Sequence, residues 1–463
     1  MNKMELISGQ RKPSVSLQKM MVLFLIPVAF SSVIQSLGQV ISTIIVGQTL
    51  GEDSLAAISA FFPLFFFLIS FAIGIGSGSS ILVGQTYGAG NIPKMKEVVG
   101  VTLAVTLLLA VIVAIFGGFF TESILNLMGT PENILAESVS YAKILFITLP
   151  IMFLYMSYTT FIRGTGDSKT PLIFLIVSIV INVALLPVLM FGWFGLPAFA
   201  LNGAAYASVL SNLITFILLL VYLHKKDHVM KLDKIIIKNI HFKGEIIKTL
   251  LKLAIPSSVS MVAIAMAEVA VIIFVNSYGS EATAAYGIVN QIAMYVQIPG
   301  MSVSIAISVF VAQAIGAGNQ ENVKQITKLG LKLSYLFGGV LILIVYLLSE
   351  PILKLFLTSA ETIGIAKGLI LISFWSYLLL GHVQAISATM RASGVVLWPT
   401  VFLISSIWIV EVPAAYVLSN FTSLGINGVW IAYPIAFAVN LAAQYGYYHF
   451  VWKKKTIKAL VYD

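Results

Sequence analysis

The sequence predicts an all-α membrane protein, with twelve transmembrane helices in two pseudo-symmetric six-helix bundles around a central cleft. Three observations carry this reading. Hydrophobic residues make up 59% of the 463-residue chain and charged residues only 10%, against about 25% charge in soluble domains; mean hydropathy is +1.00. Twelve apolar runs are long enough to cross a hydrocarbon layer, which takes about 20 residues of helix. Finally, the octapeptide GQTYGAGN at 84–91 returns 228 positions later as AQAIGAGN at 312–319.

The offset persists beyond that octapeptide. It carries Gln85 onto Gln313, Lys96 onto Lys324, and Arg163, Gly166 and Pro171 onto Arg391, Gly394 and Pro399. Several markers at one spacing are most simply a duplicated half, and a repeat of that kind outranks element-by-element readings. The expected organisation is an N-terminal lobe at 1–224, a cytoplasmic linker at 225–248 and a C-terminal lobe at 249–463.

The first run, 20–47, follows Lys3, Arg11, Lys12 and Lys19 and outlasts the apolar core of a signal peptide, so it reads as a retained first span. The next five runs are 54–83, 98–119, 139–161, 171–192 and 203–223; the second half supplies 253–276, 282–311, 329–348, 363–390, 400–418 and 428–451. They are apolar on all faces and too long for barrel strands, which need only about 9–11 residues of alternating polarity. Pro27 and Pro256 fall early in the first and seventh spans, where each removes a backbone hydrogen bond and can bend its helix. Gly74, Gly76 and Gly78 thin the second span, and Pro299 and Gly300 interrupt the eighth; close helix packing is the plainer use of such glycines. After the second and eighth spans, the GAGN glycines permit left-handed turns and the asparagine can cap the next helix.

Charge fixes the orientation. With the N-terminus inside, every Lys and Arg except Lys143, Lys354 and Lys367 falls on the cytoplasmic side, as the positive-inside rule requires. Both termini are therefore expected to be cytoplasmic, in a multi-pass protein of the cytoplasmic (inner) membrane. The net charge of +9 is accounted for by topology, and no nucleic-acid partner is implied. The richest basic stretch, 224–248, reads as a topology signal on an interfacial helix or as an anionic-lipid contact. Six spans per half make the repeat parallel, an architecture suited to alternating access. The chain has no cysteine, which excludes disulfides, zinc-thiolate sites and iron–sulfur clusters. GAGN lacks the spacing of a phosphate loop, so no ATP site is supported.

Acidic residues inside spans are functional hypotheses by default, because charge in the bilayer is costly. Two qualify, Glu268 and Glu411. Each could take up a proton, or join carbonyls and hydroxyls in a sodium site, with Glu268 the candidate for Na+; a carboxyl paired structurally with a polar neighbour is the alternative. The repeat sets Gln39 against Glu268 and Val183 against Glu411, which confines carboxylate coupling to the second bundle. His382 could shuttle protons or simply bridge two helices. Arg163 and Arg391 end their helices and receive no substrate role. Phe61, Phe65, Tyr286, Tyr295, Met301 and Trp375 could line a cleft for flat lipophilic cations, or pack and face lipid.

The stretches VISTIIVGQTLGEDSLAA, GIGSGSSILVGQTYGAGN and FIRGTGDSKTP, with YGSEATAAYGIVNQI and VAQAIGAGN in the second half, resemble the multidrug and toxic compound extrusion (MATE) transporters over nearly the whole chain. That resemblance implies export of organic cations in exchange for H+ or Na+, with no cofactor and no enzymatic activity. It also marks departures. Ser42 and Leu186 stand where family members often carry acids in the first and fifth spans, whereas Asn182 matches a family asparagine. The expected function is secondary multidrug efflux of amphipathic cations by a functional monomer among membrane lipids, with Gln39, Ser42, Asn182 and His382 as supporting polar groups. A flippase for a lipid-linked saccharide is the alternative, and it would need cationic residues to meet a pyrophosphate.

Overall fold

The computed structural model describes residues 16–460, and the basic residues Lys3, Arg11 and Lys12, which helped to orient the chain, lie outside them. No strand occurs among the described residues, and twelve helices are long and apolar enough to span a membrane. In the first half these are α1 (Leu17–Leu50), α2 (Glu52–Gly88), α3 (Ile92–Leu127), α4 (Glu132–Gly164), α5 (Lys169–Phe191) and α6 (Ala200–Lys225). A short α7 (Lys234–Lys238) follows in the linker. The second half continues with α8 (Gly244–Asn276), α9 (Ser280–Gly316), α10 (Gln320–Leu347), the short α11 (Ser349–Lys354), α12 (Ala360–Ser373), α13 (Tyr377–Ala392), α14 (Leu397–Ser405), α15 (Val412–Asn420) and α16 (Ile426–Phe450). The tenth span is α12 and α13 joined by a 3₁₀ turn at Phe374–Ser376. The eleventh is α14 and α15 joined by a π-helical turn at Ser406–Glu411.

The repeat survives as backbone geometry. Gly51 and Gly279 precede α2 and α9 with φ of 88° and 100°; Gly90 and Gly318 follow with 74° and 71°, and Gly166 and Gly394 with 84° and 87°. These left-handed conformations explain why glycine recurs there. Asn91 and Asn319 cap the next helices, their side-chain oxygens accepting from the backbone N–H of Lys94 and Asn322 at 3.0 Å each. Two further glycines let backbones meet. A Cβ on Gly203 would lie 2.7 Å from the backbone of Leu189, and one on Gly428 2.5 Å from that of Leu418. Small residues at helix crossings are how packing replaces the hydrophobic drive that lipid cannot supply.

The described residues divide into two compact units, one comprising 16–25 together with 256–460, the other Ile26–Ile255. The sequence puts the junction of the duplication at 225–248; the units divide beside Pro27 and at Pro256, and the linker, fastened to α3, goes with the Ile26–Ile255 unit. In that unit α4 packs against α2 and α3, and α5 pairs with α6. Its core centres on Phe61, Phe146, Leu149 and Phe153. In the other, α9 packs against α10, α12 and α13 around Tyr286, Phe374 and Trp430.

Candidate functional site

Within the Ile26–Ile255 unit, Gln35, Gln39 and Ser42 lie four and three residues apart on α1, which places them on one helix face. They open onto a cavity of about 450 Å³, inside the range of small-molecule pockets. Phe61, Phe62 and Phe65 of α2 and Tyr141 of α4 form its aromatic wall, and Ser178 and Asn182 of α5 with Ser208, Ser211 and Asn212 of α6 its polar one. Gly38 belongs to the lining as well; a Cβ there would come within 2.9 Å of Ile179, so glycine lets α1 close on α5.

Asn182 is the hub of the polar wall. Its Oδ1 accepts from Ser42 Oγ at 3.3 Å, and its Nδ2 donates to Ser208 Oγ at 3.3 Å and Ser211 Oγ at 3.5 Å. Among the described residues no Asp, Glu, Lys, Arg or His lines the cavity, and Leu186 adds a further apolar contact. The site offers amides, hydroxyls and ring faces. It can hydrogen-bond a polar group, and it can hold a cation by ring faces and carbonyl dipoles, though not by a counter-charge.

The carboxylates lie in the other unit. Glu411 ends the π turn and is buried at 6% exposure. Pro413 two residues on has no N–H to return to the carbonyl of Ile409, and its ring crowds that position, so the ladder widens there instead of running as regular α-helix. Trp408 of the same turn donates its indole N–H to the carbonyl of Ala263 on α8 at 3.3 Å, tying the turn to the helix that carries Glu268. Glu268 itself is exposed on its unit. Glu268 and Glu411 lie near enough to interact electrostatically with one another and with Tyr286 and Tyr377, and Glu411 with Tyr433 as well. Among the described residues neither glutamate is in an ion pair. Nor do three His, Asp or Glu side chains gather into a metal-binding group there.

The structure separates the remaining candidates. His382 accepts or donates through Nδ1 to Tyr335 Oη at 2.7 Å, and its Nε2 is buried without a hydrogen-bond partner. Of the six candidate cleft residues, Phe61 and Phe65 line the cavity in the Ile26–Ile255 unit. Tyr286 is core, stacked on Trp430 at 5.8 Å between ring centroids and hydrogen-bonded to Tyr433 at 2.8 Å. Tyr295 is half-buried, whereas Met301 and Trp375 are exposed. Sequence reasoning missed Gln35, Ser208 and Ser211; the helical spacing of Gln35, Gln39 and Ser42 was the available signal for the first. For the serines there was none, since each lies on a helix with several small polar residues.

Comparison with known proteins places these features. The family model MatE matches residues 27–188 and again 256–417, once per half. The chain is 56% identical over 452 residues to the probable multidrug resistance protein YoeA of Bacillus subtilis, covering 98% of each. Among solved structures it resembles a MOP superfamily transporter from Pyrococcus furiosus at 22% identity and a TM-score of 0.87, covering 98% of this chain and 99% of that one. It also resembles a multidrug resistance MATE family transporter in an outward-facing conformation, at 22% identity, a TM-score of 0.84 and 99% coverage of both.

Proposed function

Because the chain belongs to the MatE family, whose members are transporters and not enzymes, we propose that it is a secondary multidrug efflux transporter of the cytoplasmic membrane. It exports amphipathic organic cations in exchange for H+ or Na+ through alternating access of its two lobes. The name of the Bacillus subtilis relative supports the multidrug part of this reading. The coupling part rests on one observation: two carboxylates, Glu268 and Glu411, lie within membrane spans of one unit, and neither is in an ion pair among the described residues. A carboxylate so placed is stabilised by any cation that reaches it, so occupancy by H+ or Na+ can bias one conformation over another. That bias equals the difference in ion affinity between the two states.

The cavity around Asn182 is the proposed substrate site. Its aromatic wall and amides suit a flat amphipathic molecule, and a lipid-linked saccharide would bring a pyrophosphate that no Lys or Arg in the lining could meet. The test is reconstituted transport with proton and sodium gradients imposed separately. Glu268→Gln and Glu411→Gln are each expected to fold and to lose ion-driven accumulation; a variant that keeps full gradient-driven transport removes its glutamate from the coupling site.

A further inference from the structure

The linker between α6 and α8 begins and ends at candidate membrane spans, so both of its ends lie at the bilayer surface. Its placement there is set by ion pairs. Asp233 caps α7, accepting from the backbone N–H of Ile235 and Ile236 at 3.1 Å each, and it also pairs with Lys96 of α3. Partial burial works against the ionised Asp233, but the Lys96 ammonium and those two N–H groups outweigh it and hold the carboxyl below its ordinary range. Lys243 bonds Glu97 at 2.5 Å, and Lys94 lies 3.2 Å from the same carboxylate. Between these clamps Ile236 is buried, and Asn239 sits so close to Gly100 that a Cβ there would be 2.6 Å from its backbone.

With one side of α7 fixed to the protein, the other is presented outward. Ile235, Ile237, Ile240 and Phe242 are 43%, 55%, 43% and 59% exposed. Water would disfavour four such side chains on one short segment. The flanking Lys234 and Lys238 are exposed and have no acidic partner among the described residues, and Lys225 and Lys226 are likewise exposed and without one. Of the acids within the linker itself, Asp227 is paired with Lys231 and Asp233 with Lys96, which leaves Glu245; Glu97 and Asp167 from outside it lie against Lys243 and His228. The segment thus joins an apolar face to uncompensated positive charge, the pattern of an interfacial anchor on an anionic leaflet.

We propose that residues 234–242 form a lipid-binding surface, in which Ile237, Ile240 and Phe242 enter the headgroup boundary while Lys234 and Lys238 hold anionic headgroups. It is independent of the ion-coupling reading and would stand if that reading failed. The chain lacks cysteine, so Ile237→Cys and Phe242→Cys each give a single site for an environment-sensitive dye on the full-length protein. In vesicles of phosphatidylcholine with phosphatidylglycerol the emission is expected to shift to the blue, by less in phosphatidylcholine alone and by less at high salt. In micelles titrated with phosphatidylglycerol, Lys234→Gln or Lys238→Gln should raise the concentration at half-shift by about fivefold each, matching the ~1 kcal/mol that one lysine contributes at an anionic surface. A label that remains in an aqueous environment in both vesicle types overturns the surface. A shift of equal size with and without phosphatidylglycerol overturns the anionic specificity.

Discussion

Replacing Asn182 by leucine separates a substrate-binding role for the cavity from a structural one. The change removes three hydrogen bonds of 3.3, 3.3 and 3.5 Å, all longer than well-formed ones. Ser208 and Ser211 do not become orphans, because their hydroxyls also donate to the carbonyls of Ala204 and Ser208 at 3.1 and 3.0 Å. Ser42 loses its acceptor, but it lines a cavity roomy enough for water. The fold should therefore lose about 1 kcal/mol, one net hydrogen bond's worth. A bound molecule loses more, since an amide that both donates and accepts disappears from the polar wall; a loss of ~1.4 kcal/mol raises Kd about tenfold. The assay is ligand binding to the purified protein beside its thermal unfolding, with ethidium-like planar cations as probes. A small change in Tm with a tenfold weaker Kd supports the assignment. An unchanged Kd refutes it, and a Tm collapse with proportionate loss of binding would mean that Asn182 serves the fold alone.

Asn182→Asp puts a carboxylate into a lining that has none, and cation binding should then tighten and become pH-dependent, as read by binding isotherms across pH. Gly100→Ala drives a methyl group into the backbone of Asn239, from which a Cβ would stand only 2.6 Å away; the linker must move, at about 1–3 kcal/mol, and limited proteolysis within 225–248 should accelerate. Glu350 is held at about 2, below its usual value, by hydrogen bonds from Lys354 and Lys367. A depressed pKa means that this clamp is fully present above the ordinary carboxylate range and is lost as pH falls through about 2. Hydrogen exchange in α11 should therefore be indifferent to pH near neutrality, after correction for the intrinsic rate, and rise only in strong acid; Glu350→Gln should abolish that rise.

Much of the fold was legible because lipid imposes a one-dimensional code. A helix in hydrocarbon must satisfy its own backbone and be apolar over about 20 residues, so every span shows itself in composition. The turns were legible for a second reason. Gly90, Gly166, Gly318 and Gly394 occupy conformations that other residues rarely adopt, so glycine keeps its place in both copies while the apolar residues around it drift. What no composition reveals is where a helix departs from regularity. The π turn at Ser406–Glu411 and the 3₁₀ turn at Phe374–Ser376 lie inside continuous apolar runs, and Pro413 hinted at a break without saying which kind.

The same logic explains why the site was read unevenly. Glu268 and Glu411 stand out because ionisable groups in spans are rare, and the structure brings them into one unit near enough to interact although they are 143 positions apart in sequence. The cavity in the other unit has no such beacon. Gln39, Ser42 and Asn182 are ordinary residues for a helix interior; they become a site only when α1, α5 and α6 bring Ser42, Asn182, Ser208 and Ser211 into one network. The two halves have accordingly diverged in chemistry more than in backbone: Gln39 answers to Glu268 and Val183 to Glu411, while the paired glycines and capping asparagines stay. A duplicated scaffold that keeps its turns and changes its polar residues can place ion binding in one half and substrate binding in the other. On the proposed assignment the ion would bind in the half that carries Glu268 and Glu411, and the substrate in the half whose cavity is lined by amides, hydroxyls and ring faces.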